Sequence, residues 1–515
     1  MKYKEAEDKD VRKKSSDNLA ENVELLKKIR ELSLEWILSS TCHGLPSIFR
    51  TSQIYLKLIW LFFFLASTAG CFYIIINYII TFFEYGVDVN TLNVIETPIN
   101  FPAVTICNLN IFNQVRASAF TNNALKDIGV TNLTSIVTNT TTAFAVFKAI
   151  IFNLKLEATS NPKYSLNRTS YGFYIDEMLI SCSYSSSICT SSDFSLLQSY
   201  DYGNCYTFNG FINSSTKTTS TAGPGYSLEI ELFSGDPAYD IYNYKRGFYV
   251  VVHNQTATPI MDNEGVFASI GMETNIGVER RFYLKEASPY SNCVEDPTLE
   301  SSSSSDLYKL ILTRLGEKRY RQAYCYKMCY QIAVVNNCSC YDATYANTNA
   351  TDFSILACHD GAKLQCMFDI RTIFSETGWN GECSDLKCPI ECEQISYKTS
   401  VHTTSYPSST YLQLLLQQSS LISKYSSSTK SSPNFSSYVS SSIAKINVFY
   451  SDISYDALIE SPSITWDVLL GNIGGSLGLF LGMSFLTVIE LFEITLEIIR
   501  TLYIHRKQKK ISNKI

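Results

Sequence analysis

The stretch "GNIGGSLGLFLGMSFLTVIE", residues 471–490, is apolar but contains five glycines and ends in a carboxylate. A helix that only anchors a chain in lipid does not need glycine, because each one costs about 1 kcal/mol of helix propensity relative to alanine. Gly474, Gly478 and Gly482 recur every four residues and therefore share one helical face. Faces of small residues let membrane helices approach closely, so tight packing between two helices is the simplest explanation of this spacing.

Polar residues at the end of the stretch indicate a second explanation. Ser484 places a hydroxyl in the apolar run, and three carboxylates follow at spacings of three and four residues: Glu490, Glu493 and Glu497. Bare carboxylates in a membrane cost several kcal/mol unless they face water or a partner. A water-filled path that attracts cations would satisfy them, and several copies must enclose it, because one helix cannot. Pairing of the carboxylates with Arg500 and the basic tail is the alternative.

Two charge-free runs are long enough to cross a bilayer, for which about 20 residues suffice. Leu58–Phe83 has 26 residues and Val468–Ile489 has 22. The sequence therefore predicts five segments: an N-terminal segment 1–53, a first transmembrane helix 54–83, a large domain 84–465, a second transmembrane helix 466–504 and a basic tail 505–515. The first run is not a signal peptide, since 57 residues precede it.

Charge, cysteines and glycosylation sequons agree on orientation. Basic residues flank the outer sides of both runs, which predicts that both termini are cytoplasmic: Arg50, Lys57, Arg500, His505, Arg506, Lys507, Lys509 and Lys510. Of 16 cysteines, 14 lie between the runs, as expected for disulfides in the oxidising exterior. Sequons lie there too: Asn132, Asn139, Asn167, Asn213, Asn254, Asn349 and Asn434. The net charge of −6 indicates only a solvated surface.

The large domain has the composition of a mixed helix and strand fold. Residues 247–255 and 446–452 are rich in tyrosine and valine and predict strands. Within residues 301–331, four apolar residues at helical spacing predict a helix: Leu307, Leu310, Ile311 and Leu315. The serine-rich tracts 214–220, 301–305 and 426–442 are predicted as surface loops, and residues 19–32 as a short amphipathic helix.

Signals for metal or enzyme chemistry are weak. Nine cysteines fall between Cys325 and Cys392, with His359 beside Cys358, which leaves a zinc cluster as an alternative to disulfides. The sequence lacks a Gly-x-Ser-x-Gly elbow, a His-Glu-x-x-His motif and a phosphate-binding glycine loop, so it predicts no enzyme and no cofactor. A surface role is the default for four histidines: His253, His359, His402 and His505.

Five blocks of the sequence, between residues 40 and 493, resemble the degenerin, epithelial sodium channel and acid-sensing ion channel superfamily. They are "STCHGLPSIF", "FPAVTICNLN", "SPYSNC", the ladder "CYKMCYQ…CSCYD", and the stretch from "INVFYSD" through "GNIGGSLGLFLGMSFLTVIELFE". The resemblance implies a membrane protein with two transmembrane helices and a large α+β disulfide-rich extracellular domain. That domain would comprise a palm, β-ball, finger, thumb and knuckle, in a homotrimer or heterotrimer.

The resemblance also implies roles for particular residues. Gly482, Met483 and Ser484 match the selectivity filter, where the second helix breaks and its carbonyls coordinate sodium. His43 and Gly44 match a re-entrant segment that lines the lower pore. Gly471 matches the degenerin position, where bulky residues hold channels open, and Gly478 an amiloride site. The implied disulfides are Cys107–Cys205, Cys182–Cys189, Cys293–Cys392, Cys325–Cys388, Cys329–Cys383, Cys338–Cys366 and Cys340–Cys358.

The sequence departs from the family pattern at two places. Asn472 stands where many members have aspartate, which removes charge from the outer mouth and argues against calcium binding there. Val87, after Tyr85 and Gly86, stands where proton-gated members have histidine, which argues against proton gating. Tyr290 in "SPYSNC" matches the aromatic that couples the thumb to the membrane, so Tyr85 and Tyr290 are expected to serve gating.

The sequence thus predicts a trimeric, sodium-selective, amiloride-sensitive channel of the plasma membrane, gated by an extracellular ligand such as a neuropeptide. Its expected partners are sodium ions, lipid and further subunits, with no nucleic acid. Mechanical, proton or constitutive gating are alternatives within the family. An ATP-gated trimeric channel and a non-conducting receptor are alternatives outside it, although the first needs a cluster of extracellular basic residues and the second leaves the glycines and carboxylates unexplained.

Overall fold

The computed structural model describes residues 23–42, 44–130, 143–210, 216–240, 242–315, 317–345, 355–378, 383–384 and 386–512. The chain divides into two compact units. The terminal unit combines Met1–Asp88 with Pro462–Ile515, and the central unit is Val89–Ser461.

The helices and strands follow in chain order. The helices are 23–39 (α1), Leu45–Arg50 (α2), Ile54–Phe83 (α3), Gln114–Asp127 (α4), Ala143–Ser160 (α5), Pro162–Ser165 (α6), Arg168–Tyr171 (α7), Ile175–Met178 (α8), Asp306–Thr313 (α9), Gln322–Cys338 (α10), Gly361–Thr377 (α11), Ser409–Leu415 (α12), Ser419–Ile422 (α13), Ser427–Lys430 (α14), Phe435–Ser440 (α15), Trp466–Leu481 (α16) and Phe485–Ser512 (α17). The strands are Val87–Ile95 (β1), Ile99–Asn100 (β2), Ala103–Asn108 (β3), Leu179–Tyr184 (β4), Ser187–Ile188 (β5), Phe194–Ser199 (β6), Gly203–Phe208 (β7), Thr218–Thr219 (β8), Leu228–Phe233 (β9), Phe248–His253 (β10), Gly265–Ala268 (β11), Met272–Leu284 (β12), Glu393–Ser405 (β13) and Ile443–Pro462 (β14).

The terminal unit is built on the packing of α3 against α16. α3 is a continuous helix of 30 residues whose most apolar window has a mean hydropathy of 2.2, enough to cross a membrane. A Cβ atom on Gly70 would lie 3.5 Å from the ring of Phe480, an ordinary van der Waals distance, so the two helices are in contact at this point. Near the other end of the pair, the rings of Phe82 and Trp466 are 4.6 Å apart.

Two sheets form the body of the central unit. The seven-stranded sheet has the order β13-β12-β14-β9-β4-β5, with β1 also paired to β14. Its β12 and β14 run parallel, while β9 joins β14 antiparallel. The five-stranded sheet has the order β11-β10-β3-β7-β6 and is antiparallel in all its pairs. Residues from both sheets share one hydrophobic core, to which Val104, Ile230 and Val250 contribute fully buried side chains. This core explains why the valine-rich strands are buried.

Seven disulfides cross-link the central unit, and they join the same cysteine pairs that the family resemblance implies: Cys107–Cys205, Cys182–Cys189, Cys293–Cys392, Cys325–Cys388, Cys329–Cys383, Cys338–Cys366 and Cys340–Cys358. Four of them hold the ends of α10 and the segment around α11 together. Because every cysteine between residues 325 and 392 is oxidised, none can supply a thiolate ligand, and the zinc alternative is wrong.

Some local predictions need correction. The serine-rich tract 426–442 is not a plain surface loop, because it contains α14 and α15 and buries Thr429 and Val439. The signal for its first helix is Ser426, whose hydroxyl accepts a hydrogen bond from the Thr429 N–H and caps α14. The predicted helix in residues 301–331 is two helices, α9 and α10, and the amphipathic helix continues to residue 39.

Candidate functional site

The second apolar run of the terminal unit is a helix that breaks in its middle. α16 ends at Leu481, residues 482–484 are not helical, and α17 starts at Phe485 after a bend of 78°. Gly482 has a φ of 66°, a left-handed conformation that glycine adopts without steric cost. Its N–H donates to Gly478 O at 3.0 Å, and the Met483 N–H donates to Leu477 O at 3.2 Å. The glycine therefore fixes where the helix stops, and the two halves together form a second candidate span.

Hydroxyl groups organise the start of the second half-helix. The Ser484 N–H donates to Thr487 Oγ1 at 3.0 Å, and the Thr487 N–H donates back to Ser484 O at 3.0 Å. This reciprocal arrangement satisfies backbone donors that the first turn of a helix leaves without partners. It also fixes the backbone of Ser484, the last residue of the break.

The segment before α3 packs against this break. Cys42 is buried in one hydrophobic cluster with Leu481, and Leu477 and Met483 pack against that cluster. Gly44 precedes α2, and a Cβ atom there would lie 3.4 Å from the Phe64 ring. His43, which was predicted to lie in the lower pore, is outside the described residues. Its neighbours on both sides nevertheless contact the helices of the candidate site.

One face of α16 is formed by glycines that have open space beside them among the described residues. A Cβ atom added to Gly471, Gly474 or Gly475 would meet no atom within 4 Å, and one on Gly478 would meet only Met483 O, at 3.8 Å. Among the described residues, α3 therefore does not pack against this part of the glycine face, and tight packing of the face against a helix of another copy stays a prediction. The half-buried Asn472 lies next to this face.

The predicted acidic face lies on α17. Glu490 is half-buried, and Glu493 and Glu497 are exposed. Among the side chains that the structure describes in the terminal unit, the ion pairs within 4 Å include none of these three carboxylates. Arg500, the proposed partner in the alternative explanation, is exposed.

The two predicted coupling aromatics lie in different units. Tyr85 follows α3, and its ring is 6.5 Å from the Phe82 ring and 6.2 Å from the Phe83 ring. Tyr290 lies in a turn of the central unit, where its N–H donates to Ala287 O at 3.0 Å. Their role in gating stays a prediction.

Three of the predicted glycosylation sites fall on described residues. Asn167 and Asn434 are exposed, so both side chains are accessible to a glycan. Asn254 is half-buried, and its side-chain oxygen accepts hydrogen bonds from the N–H and the hydroxyl of Thr256. The other four lie outside the described residues: Asn132, Asn139, Asn213 and Asn349.

His253 corrects the predicted surface role of the histidines. It ends the fully buried strand β10 and is 4% exposed. Its Nδ1–H donates to the carbonyls of Asn254 and Ala257, and its Nε2 accepts from the hydroxyl of Thr105. Burial lowers the pKa of His253 to about 4, so the ring is neutral at physiological pH. The sequence signal for the burial of His253 is the apolar strand that leads directly into it.

A cavity of about 460 Å³ lies in the central unit, beside α5, α10 and α11. Its lining includes Phe152, Tyr200, Asp201, Asp262 and Tyr345. Asp262 accepts a hydrogen bond from the Tyr345 hydroxyl at 2.9 Å. Burial raises the pKa of Asp201. Aromatic rings beside polar acceptors in a cavity of this volume are typical of small-ligand sites.

Comparison with known proteins identifies the family to which this arrangement of helices belongs. Residues 37–494 match the family described as amiloride-sensitive sodium channel. The chain belongs to this family. Its members are ion channels of the plasma membrane and not enzymes, and they work as assemblies of subunits.

Relatives come from several branches of the family. Acid-sensing ion channel 1A of Danio rerio is 28% identical over 486 residues, which cover 90% of this chain and 87% of the relative. Epithelial sodium channel subunit gamma of Bos taurus is 27% identical over 358 residues, 68% of this chain and 50% of the relative. Degenerin del-1 of Caenorhabditis elegans is 28% identical over 335 residues, 63% of this chain and 45% of the relative. The last two alignments span only about half of those relatives.

Proposed function

We propose that this chain is a subunit of a trimeric, sodium-selective cation channel of the plasma membrane, with both termini in the cytoplasm. The observation that carries the proposal is the break at residues 482–484, next to a glycine face with open space beside it among the described residues. A break inside an apolar span exposes backbone carbonyls, and such groups are tolerated at membrane depth only where they line water or protein. Rings of carbonyls from several copies are suited to bind a dehydrated cation.

The proposal assigns roles along one path. Gly482, Met483 and Ser484 form the sodium filter, and the glycine face lines the pore or the contacts between subunits. Further outward, Gly471 is the position where a bulky residue would hold the channel open. Gly478 contributes to the amiloride site. His43 and Gly44 line the inner pore, where the face of Glu490, Glu493 and Glu497 concentrates cations.

The test is whole-cell recording from cells that express the full chain. The proposal predicts a current whose reversal potential follows the sodium gradient and which amiloride blocks. A potassium-selective or anion current would contradict it. A chain that reaches the surface but conducts no ions under any stimulus would favour the non-conducting receptor.

We further propose that an extracellular neuropeptide opens the channel, and that the central cavity is its binding site. The support is the cavity volume and its aromatic lining. Asp201 and Asp262, which pair with Lys155 and Lys327, would exchange those partners for peptide N–H or amine donors. Superfusion with amidated neuropeptides, followed by pH steps and membrane stretch on the same cell, separates this stimulus from the alternatives. Tyr200→Ala should then raise the peptide concentration needed for half-maximal current, whereas a change at the exposed Tyr226, outside the cavity, should not.

A further inference from the structure

A side-chain hydrogen bond joins the segment before α3 to the second half of the broken span. The Oγ1 atoms of Thr41 and Thr487 are 2.5 Å apart, although the residues are separated by 446 positions in the chain. Thr487 is 1% exposed, whereas Thr41 is exposed, so the bond is shielded from water on the Thr487 side. A net hydrogen bond contributes about 1 kcal/mol, and this one joins two segments that are distant in the chain.

Thr487 also contacts Ser484. Its Oγ1 accepts from the Ser484 N–H at 3.0 Å and lies 3.3 Å from the Ser484 hydroxyl. A threonine oxygen can accept two hydrogen bonds and donate one, so all these contacts can exist together. The result is a continuous chain of polar contacts from Thr41 through Thr487 to Ser484.

The segment that carries Thr41 is itself held in place. Ser40 is buried, and its hydroxyl accepts a hydrogen bond from the Cys42 N–H at 3.2 Å. Cys42 is buried in the cluster that includes Leu481, the last residue of α16. Thr41 is therefore fixed from both neighbours, and a shift of residues 40–42 must either move Thr487 or break the bond to it.

We propose that Thr487 is a positioning residue of the selectivity filter and that Thr41 is the partner through which the segment before the first span acts on that filter. The inference rests on the proposed function, in which residues 482–484 form the filter. Thr487 does not contact the ion. It holds the backbone of Ser484 at the N-terminus of α17, and Thr41 fixes the hydroxyl that does so.

The test is the sodium-to-potassium permeability ratio from reversal potentials in Thr487→Val, Thr41→Val and the double variant. Valine keeps the shape of threonine and removes only the hydroxyl. Each single change should lower the ratio between about twofold and tenfold, the range that one net hydrogen bond contributes to an equilibrium. The double variant should be no worse than the stronger single one, because both changes remove the same bond. Thr487→Ser should restore the ratio.

Thr495→Val is the matched control. Thr495 lies on the same helix, but its hydroxyl donates only to Leu491 O of its own helix and is exposed, so the ratio should not change. Unchanged ratios in both Thr487→Val and Thr41→Val would overturn the proposal, and so would additive effects in the double variant. If surface biotinylation shows that Thr487→Val does not reach the cell surface, the permeability ratio of Thr41→Val alone tests the proposal.

A second readout needs no current. In the purified full chain, hydrogen–deuterium exchange of the Ser484 amide should accelerate about twofold or more in Thr487→Val and Thr41→Val but not in Thr495→Val. Unchanged exchange in the first two would overturn the inference even if the channel conducts. Accelerated exchange in a chain that carries no sodium current would uphold the coupling and contradict the proposed function. If only Ser484→Ala changed the sodium-to-potassium permeability ratio, residues 482–484 would remain the proposed filter. The inference about Thr41 and Thr487 would then be contradicted.

Discussion

The central unit and the terminal unit use glycine for different purposes. In the central unit, Gly247 has a φ of 130°, and a Cβ atom there would lie 2.4 Å from Ala268 O, so the fold of the chain itself requires glycine. In α16 of the terminal unit, Gly471, Gly474 and Gly475 could each carry a Cβ atom without meeting anything within 4 Å. The chain's own fold therefore explains the first glycine and does not explain the other three. Among the described residues nothing requires glycine at these three positions, which is what the proposed pore and contacts between copies would explain.

Cysteines show the same contrast. Seven disulfides tie the central unit to itself, whereas Cys42 and Cys71 of the terminal unit are free thiols buried among apolar side chains. Cys325 and Cys388 close a loop with a sequence separation of 63, and a cross-link of that length contributes about 4 kcal/mol in the chain-entropy account. The central unit is thus stabilised internally, while the terminal unit depends on what surrounds its helices.

The largest expected effect tests the glycine comparison directly. Gly247→Ala should destabilise the folded chain by about 4 kcal/mol, since a backbone strain of about 1–3 kcal/mol adds to overlap with a carbonyl oxygen of similar cost. Gly474→Ala should not destabilise the chain, and its gain in helix propensity could raise stability by about 1 kcal/mol. The measurement is the melting temperature of the detergent-solubilised full chain by size-exclusion chromatography after heating.

Gly225→Ala serves as the control within the central unit, because a Cβ atom there would meet nothing within 4 Å. If Gly474→Ala were as damaging as Gly247→Ala in the single, unassembled chain, the glycine face of α16 would have a partner inside the chain, and the comparison would fail.

A smaller effect concerns the pH dependence of the central unit. His253 is held neutral with a pKa of about 4, below its ordinary value of 6.5. Between these two values the unfolded chain binds a proton that the folded chain excludes. Stability is therefore complete above pH 6.5 and falls as the pH drops toward 4, by roughly 3 kcal/mol in total.

His253→Gln should flatten this part of the stability curve, which thermal melts from pH 7.5 to 4 would measure. The same substitution at the exposed His402 should leave the curve unchanged. The account of His253 would be incorrect if its replacement left the acid-induced loss as steep as in wild type.

The smallest expected effect concerns Glu490 in the terminal unit. If Glu490 concentrates cations at an inner mouth, Glu490→Gln should lower single-channel conductance by about twofold in dilute salt and less in concentrated salt, where ions screen the charge. Single-channel recording at two ionic strengths measures it, with Glu300→Gln on the exposed surface of the central unit as the control. Conductance that holds at both ionic strengths, with fewer channels assembled, would instead support pairing with Arg500.

Sequence reasoning could identify the apolar span because its signals are local, whereas the break within it was implied only by the family resemblance. Glycines every four residues, a serine and regularly spaced carboxylates lie within 30 residues of one another, and the composition of both runs marks membrane helices. The contact between Thr41 and Thr487 could not be identified in this way, because two hydroxyls 446 positions apart leave no spacing pattern. The packing of Gly70 against Phe480 could not be predicted from the sequence for the same reason.

Two errors in the central unit had signals that composition obscured. His253 follows five buried residues of β10, and a strand buried on both faces buries its last residue too. The tract 426–442 was judged by its serine content, although Ser426 stands where a helix cap is expected and α14 begins at the next residue. For both His253 and Ser426, the position of the polar residue at the end of a strand or the start of a helix predicts its environment better than its residue type does.

The central claim is that residues 482–484, repeated in several copies, select sodium. The most direct test is the reversal potential of Ser484→Ala under sodium outside and potassium inside, with surface expression confirmed by biotinylation. The account predicts a clear shift toward the potassium potential at normal expression, because the serine backbone and hydroxyl lie at the break that Gly482 creates. A reversal potential identical to wild type would place the filter elsewhere in the chain.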